Sequence, residues 1–208
     1  MAGPIEIFFD FASPYAYFGI GRLGSLAERH GRKASLHPIL LWAVRKSLGM
    51  ASPMDDAAKF DYLKRDMERS SRFYDLPYRM PDAFPISTHL AARIFYALEA
   101  TDPLKSGPFV RSVFDAYFNA NQDISDAAVL TRIGEKYGLG RKQLRAMMNN
   151  DGARAALTSA NENAAARGVW GSPYVFVDGE AFFGIDRLPQ IEWHLAGANG
   201  TVSQEHRP

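Results

Sequence analysis

The order of hydrophobic patterns predicts an α/β fold assembled from two separated pieces of chain, with a large all-helical insertion between them. Three observations predict it. Residues 5–41 read as strand, helix, strand. Residues 151–196 read as a long helix, two short strands and a last helix. Between them, residues 48–149 carry helical rather than alternating periodicity.

The first strand holds Ile5, Ile7 and Phe9 alternating with Glu6, Phe8 and Asp10. Both of its faces are largely apolar, as in a central strand covered on both sides. A helix follows from Pro14 to about Arg29, with Ser13 as N-cap, Pro14 in the first helical position and Gly31 just past the end. Residues 34–41 ("ASLHPILL") read as a second strand that ends near Pro38, since proline cannot donate to a ladder. In the insertion, Phe60, Leu63, Met67 and Tyr74 form one stripe and Leu90, Ile94, Ala97 and Leu98 another. Phe109, Val113 and Tyr117 lie beside Val110, Phe114 and Phe118 in a strongly apolar helix. Leu130, Ile133 and Tyr137 follow, with Ser125 as the expected cap. The stretch "DLPYRMPDAFPIS" has three prolines and no period, and reads as a loop. Residues 151–167 form a helix with a small-residue face at Ala156, Ala160 and Ala164. Tyr174–Val177 and 181–183 pair across Asp178-Gly179, a strong hairpin signal, before a last helix at 187–196. Strand–helix–strand followed by helix–hairpin–helix is the order of a thioredoxin-like fold. The expected division is therefore a discontinuous thioredoxin-like domain, 1–47 with 150–208, and a helical insertion domain, 48–149.

The 208 residues carry a net charge of +1 and 47% hydrophobic residues, which gives no broad electrostatic reason to expect nucleic acid or an anionic membrane as partner. Arg45-Lys46 reads as an ordinary surface pair. No apolar run is long enough to span a bilayer, and the start of the chain has no signal-peptide pattern, so a cytoplasmic protein is expected. The absence of cysteine excludes disulfides, thiolate metal sites and thiol–disulfide exchange by the chain itself. The five histidines show no metal-ligand spacing, and no metal is expected; His89 is the one worth seeking near a pocket. Tyr62, Phe73, Tyr78, Phe84 and Trp170 read mostly as core, with some left to line a pocket.

Ser13 sits at a strand-to-helix turn. Ser-Pro at that place is an ordinary N-cap worth about 1 kcal/mol. It is equally an anion site, because free backbone N–H groups and the positive end of the helix dipole face the turn.

Four stretches make the chain resemble the 2-hydroxychromene-2-carboxylate isomerases, which are similar to kappa-class glutathione transferases and to DsbA-type oxidoreductases. They are "FDFASPYAY" (9–17), "LLWAVRKSLG" (40–49), "DLPYRMPDAFP" (75–85) and "GVWGSPYVFVDGEAFFGIDRL" (168–188). The resemblance implies that glutathione is the cofactor and brings the thiol that the chain lacks. Ser13 would be the catalytic residue, its hydroxyl directed at the glutathione sulfur while the helix end lowers the thiol pKa. Ser172-Pro173 would be a cis bond that turns the backbone of Ser172 toward glutathione, which pairs as an added strand. Asp186, with Arg187 beside it, would hold the γ-glutamyl end. Lys46 would supply a cation for glutathione or a carboxylate substrate. The chain departs from the family where Met50 and Ile185 stand for an asparagine and a glutamine, and where Trp42 and Ala43 replace glycines. The implied activity is isomerisation of 2-hydroxychromene-2-carboxylate, or a related aromatic carboxylate, to trans-o-hydroxybenzylidenepyruvate by reversible thiolate addition in a homodimer. A kappa-like transferase and a non-catalytic glutathione-binding module are the alternatives.

Overall fold

The computed structural model describes residues 3–52 and 54–197. Its sheet has four strands in the order β2-β1-β3-β4, formed by β1 (Ile5–Phe9), β2 (Ala34–Pro38), β3 (Tyr174–Val177) and β4 (Glu180–Phe183). Strand β1 runs parallel to β2 and antiparallel to β3, so the C-terminal piece of the chain joins the N-terminal piece along the edge of β1 that faces β3. Ile5, Ile7 and Phe9 enter the larger core, and Phe8 enters a second core with Ile39, Val44, Ala164, Val169, Tyr174 and Phe176. The apolar character of both faces of β1 thus has a cause on each side. Glu6, on the Phe8 side, is held by the Arg167 guanidinium through two hydrogen bonds of 2.9 and 2.8 Å. Those bonds keep its carboxyl below the usual range.

Helix α1 (Pro14–Arg29) is capped by Ser13, as its sequence predicts. The strand after it stops at Pro38, short of the expected Leu41, and α2 (Leu41–Ser47) begins where strand was expected. Pro38 is tolerated because its nitrogen faces away from β1 on this edge strand. The last bond to β1 is Ile39 N–H to Phe9 O at 2.7 Å, and the next amide, Leu40, turns away to Asn161 Oδ1 at 2.9 Å.

The insertion holds α3 (Ala57–Tyr74), α4 (His89–Thr101), α5 (Pro103–Phe118), α6 (Ala127–Glu135) and α7 (Arg141–Met148). Phe109, Val110, Val113, Phe114, Tyr117 and Phe118 of α5 are all buried, and the Phe114 ring meets Phe9 and Phe11 at centroid distances of 5.7 and 5.4 Å. The insertion therefore packs on the sheet core directly. Further ties are Tyr96 Oη to Pro38 O at 2.8 Å and Tyr17 Oη to Pro77 O at 2.6 Å. The cap of α6 is Asp126, not Ser125: Asp126 accepts from Ala128 N at 2.8 Å, while the Ser125 hydroxyl donates to Asp123 at 2.6 Å. Tyr62, Phe73 and Trp170 are exposed rather than core. Tyr62 and Phe73 stand on the outer face of α3, whose one fully buried side chain is Met67.

Helix α8 (Asp151–Ala166) returns the chain to the sheet, with Ala160 and Ala164 against the second core. Asp178 and Gly179 turn the β3–β4 hairpin with φ of 51° and 91°. A single 3-10 turn (Ile185–Arg187) leads into α9 (Leu188–Leu195). The end of the expected C-terminal piece, 198–208, lies outside the described residues.

Candidate active site

Three things converge at the C-terminal end of β1: the start of α1, the segment before β3, and the start of α2. The β1–α1 turn closes with Ser13 N–H donating to Asp10 O at 2.9 Å, and Tyr17 N–H donates to Ser13 O at 3.1 Å as the helix begins. The Ser13 side chain accepts from Ala16 N at 3.3 Å, the expected cap bond. Its hydroxyl hydrogen goes elsewhere, to Ser172 O at 2.8 Å. Ser13 is thus both a cap and a donor aimed across the site, and it is almost fully buried at 9% exposure.

The Ser172-Pro173 bond is cis. Ser172 Oγ accepts from Asp10 N–H at 2.9 Å, so both the side chain and the carbonyl of Ser172 are fixed against the β1–α1 turn. Gly171 precedes it because nothing larger fits: a Cβ there would run into the Phe183 ring. Pro173 O accepts from Gly184 N at 3.1 Å, which ties the end of β4 to the same segment. Gly184 itself has φ 96°, a conformation L side chains rarely adopt, and it redirects the chain into the turn carrying Asp186.

Asp186 and Arg187 are exposed and paired with each other at 3.1 Å. No hydrogen bond joins either to Ser13 or Ser172 among the described residues. Lys46 is exposed near the end of α2. Ser13, Ser172 and Pro173 are therefore brought into one cluster, Asp186 and Arg187 stand on the turn that follows β4, and Lys46 lies on the helix that starts beside Asp10. Trp42, Met50, Trp170 and Phe183 are exposed on the segments that frame this cluster, and the Trp170 and Phe183 rings pack at 4.1 Å between centroids.

Three residues here escape sequence reasoning. Arg45 is not an ordinary surface cation: its guanidinium donates to Trp170 O at 2.8 Å and Ala51 O at 2.5 Å, pinning the segment before Ser172 to the loop after α2. Asp10 and Thr88 are both buried and joined by a 2.8 Å hydrogen bond. Burial pushes the Asp10 carboxyl up, against the hydrogen bonds from Ala12, Leu41 and Thr88. His89, next in the chain, pairs with Ser87 Oγ at 2.9 Å and is held below the usual imidazole range by burial and by Arg93. Its place is beside Thr88, not in the Ser13 cluster. A cavity of about 620 Å3 lies on the insertion, bounded by Leu90, Thr131, Arg132, Arg145 and Met148, and none of Ser13, Ser172 or Asp186 lines it.

As a piece of chemistry, the cluster offers a hydroxyl, a carbonyl and a helix N-terminus at one point. That donor set suits a small anionic peptide or an external thiol, and it contains no nucleophile stronger than a serine.

Comparison with known proteins agrees over nearly the whole length. The DSBA-like thioredoxin domain model matches residues 4–196. A 2-hydroxychromene-2-carboxylate isomerase of Pseudomonas sp. (strain C18) is 28% identical over 93% of this chain and 91% of its own. The glutathione S-transferase kappa 1 of Rattus norvegicus is 23% identical over 92% and 90%. A solved 2-hydroxychromene-2-carboxylate isomerase superposes with a TM-score of 0.82 at 26% identity, covering 92% of this chain and 94% of that one.

Proposed function

Since the chain belongs to the DSBA-like thioredoxin domain family and has a serine but no cysteine at the start of α1, we propose that it is a glutathione-dependent isomerase of 2-hydroxychromene-2-carboxylate or a closely related aromatic carboxylate. The observation that carries this reading is the Ser13 hydroxyl, placed at the α1 N-terminus and donating to Ser172 O at 2.8 Å. Relatives named as this isomerase, at 28% identity, support the substrate class, and those named as kappa glutathione transferases support the cofactor.

The residues present fit glutathione. A tripeptide with two carboxylates, an ammonium and a thiol meets Lys46, Asp186 with Arg187, the Ser172 backbone and the α1 N-terminus. When bound, glutathione supplies the thiolate whose reversible addition to a conjugated side chain lets a double bond rotate. The chain's own task is to hold and activate that group. The helix end favours the anion. The Ser13 hydroxyl is already bonded to Ser172 O, so it serves a sulfur only when another donor takes that carbonyl. A peptide N–H is such a donor, which links thiol activation to peptide pairing at Ser172. Lys46 would orient the substrate carboxylate. Asp186 would turn from Arg187 to the γ-glutamyl ammonium, at small cost because the pair is exposed.

The test is a reaction with purified 2-hydroxychromene-2-carboxylate, with and without reduced glutathione, followed by product and thiol analysis. The proposal expects turnover only with glutathione, and glutathione unchanged at the end. Glutathione falling one-for-one with product would establish the transferase reading instead. No binding by calorimetry at millimolar glutathione would contradict both.

A further inference from the structure

The proposed chemistry makes no use of Asp10, yet Asp10 is the most connected polar residue at the site. It is 6% exposed. Its Oδ1 accepts from Ala12 N at 2.9 Å and from Thr88 Oγ1 at 2.8 Å, and its Oδ2 accepts from Leu41 N at 2.7 Å. Its main chain adds the bonds from Ser13 N to its carbonyl and from its own N–H to Ser172 Oγ. A buried carboxylate is costly unless its lone pairs are satisfied. Here the groups that satisfy the carboxylate come from three separate parts of the chain, the β1–α1 turn, the first amide of α2 and the helical insertion, and the residue's own N–H adds the segment before β3.

The insertion's contribution is Thr88 alone. Thr88 precedes α4 in the N-cap position, where a threonine ordinarily accepts a hydrogen bond from its own helix. It makes no such bond. Its hydroxyl, on a residue 1% exposed, donates to Asp10. The side chain at the start of α4 is thus directed at a residue 78 positions away and not at its own helix. That contact lies three residues in sequence from Ser13.

We propose that Asp10 is a positioning residue through which the helical insertion, by way of Thr88, sets the aim of the α1 N-terminus at the site where the thiol is activated. This rests on the thiol-site reading above. It adds that the placement of the insertion fixes the β1–α1 turn. Asp10 does not act by its charge, because a nearby carboxylate disfavours a thiolate. It acts by holding Ala12, Ser13 and Ser172 in one arrangement.

The cysteine-free chain permits a direct test that needs no glutathione. Ser13→Cys places a single reporter thiol at the helix start, and its ionisation is read from thiolate absorbance against pH. In that parent the thiol should titrate below the free value of about 8.5. Adding Thr88→Val should raise it by about half a unit or more, the share of a helix-end interaction lost when the turn is re-aimed. Thr88→Ser should restore the parent value. Asp10→Asn should also raise it, although removing a negative charge alone would lower it. If Asp10→Asn does not fold, the Thr88 pair carries the test. A depressed reporter titration indifferent to Thr88, with only thermal stability lost, would overturn the proposal by making the hub a structural support. A downward shift in Asp10→Asn would overturn it in favour of a charge effect. A reporter thiol at the free value in the parent would contradict the thiol-site reading itself, and the proposal with it.

Discussion

A serine at a strand-to-helix turn is cheap to explain locally, and Ser13 does cap α1. What the local reading misses is the direction of the hydroxyl hydrogen, which goes to Ser172 O, 159 residues away. The cap and the helix start were legible because they depend on neighbours within one turn. Asp10 was legible only as the end of a strand, because two of its three carboxylate partners lie 31 and 78 residues off and nothing nearby in sequence marks them. Arg45 hid for the same reason, reading as half of a surface pair while its donors are taken by Trp170 and Ala51. The exposed pair of Asp186 and Arg187 sets the scale of one prediction. Asp186→Asn should weaken glutathione binding by about 1 kcal/mol, since the carboxylate trades one exposed cation for another. Calorimetry of the variant checks the loss, and a thermal melt without ligand should be nearly unchanged. A melt that falls as far as the affinity would make Asp186 part of the helix start alone.

At the scale of elements, the hairpin was the clearest signal and α2 the poorest. Asp178-Gly179 announces a two-residue turn in any context, and both residues adopt the left-handed φ that such a turn requires. Gly179→Ala should therefore destabilise the fold by about 1 kcal/mol, which urea unfolding would show. An unchanged midpoint would mean that the turn relaxes into another form. Helix α2 has seven residues and follows a proline inside an apolar run that alternates poorly. Its start is fixed by tertiary bonds: Leu41 N–H donates to Asp10 and Leu40 N–H to Asn161. Neither partner can be inferred from residues 34–47. Stripes in the sequence mark α3 to α6 of the insertion and leave α7 unmarked, and aromatic type turns Tyr62 and Phe73 inward where the structure exposes them. Aromatic type alone does not fix a face, and α3 packs through a narrow stripe around Met67.

On the scale of the whole molecule, the sheet explains why the site exists. Strand β1 takes an N-terminal partner on one edge and a C-terminal partner on the other, and this brings Ser13 to Ser172. The order of elements in sequence was enough to predict that meeting, while the bonds that lock it were not. One lock is testable by pH. Arg167 holds Glu6 of β1 and depresses its pKa below that of a free carboxyl, so the pair's contribution to stability is fully present above the free value and is lost as pH falls through the folded-state pKa. Glu6→Gln should be less stable than wild type by about 1 kcal/mol at neutral pH, and urea midpoints of the two should converge as the pH drops well below that of a free carboxylate. A gap that persists in acid would assign the loss to packing of Arg167 over Phe176. The central claim is that the start of α1, with Ser13, activates a visiting thiol. The most direct measurement is the absorbance of bound glutathione thiolate against pH, in wild type and Ser13→Ala, with turnover recorded on the same samples. The account predicts a bound thiol below the free value of about 8.5 in wild type, an upward shift in Ser13→Ala, and activity that falls at neutral pH and partly returns at higher pH. Identical titrations with full activity, alongside a stability loss of about 1 kcal/mol from the missing cap, would contradict it and leave Ser13 as the start of a helix only.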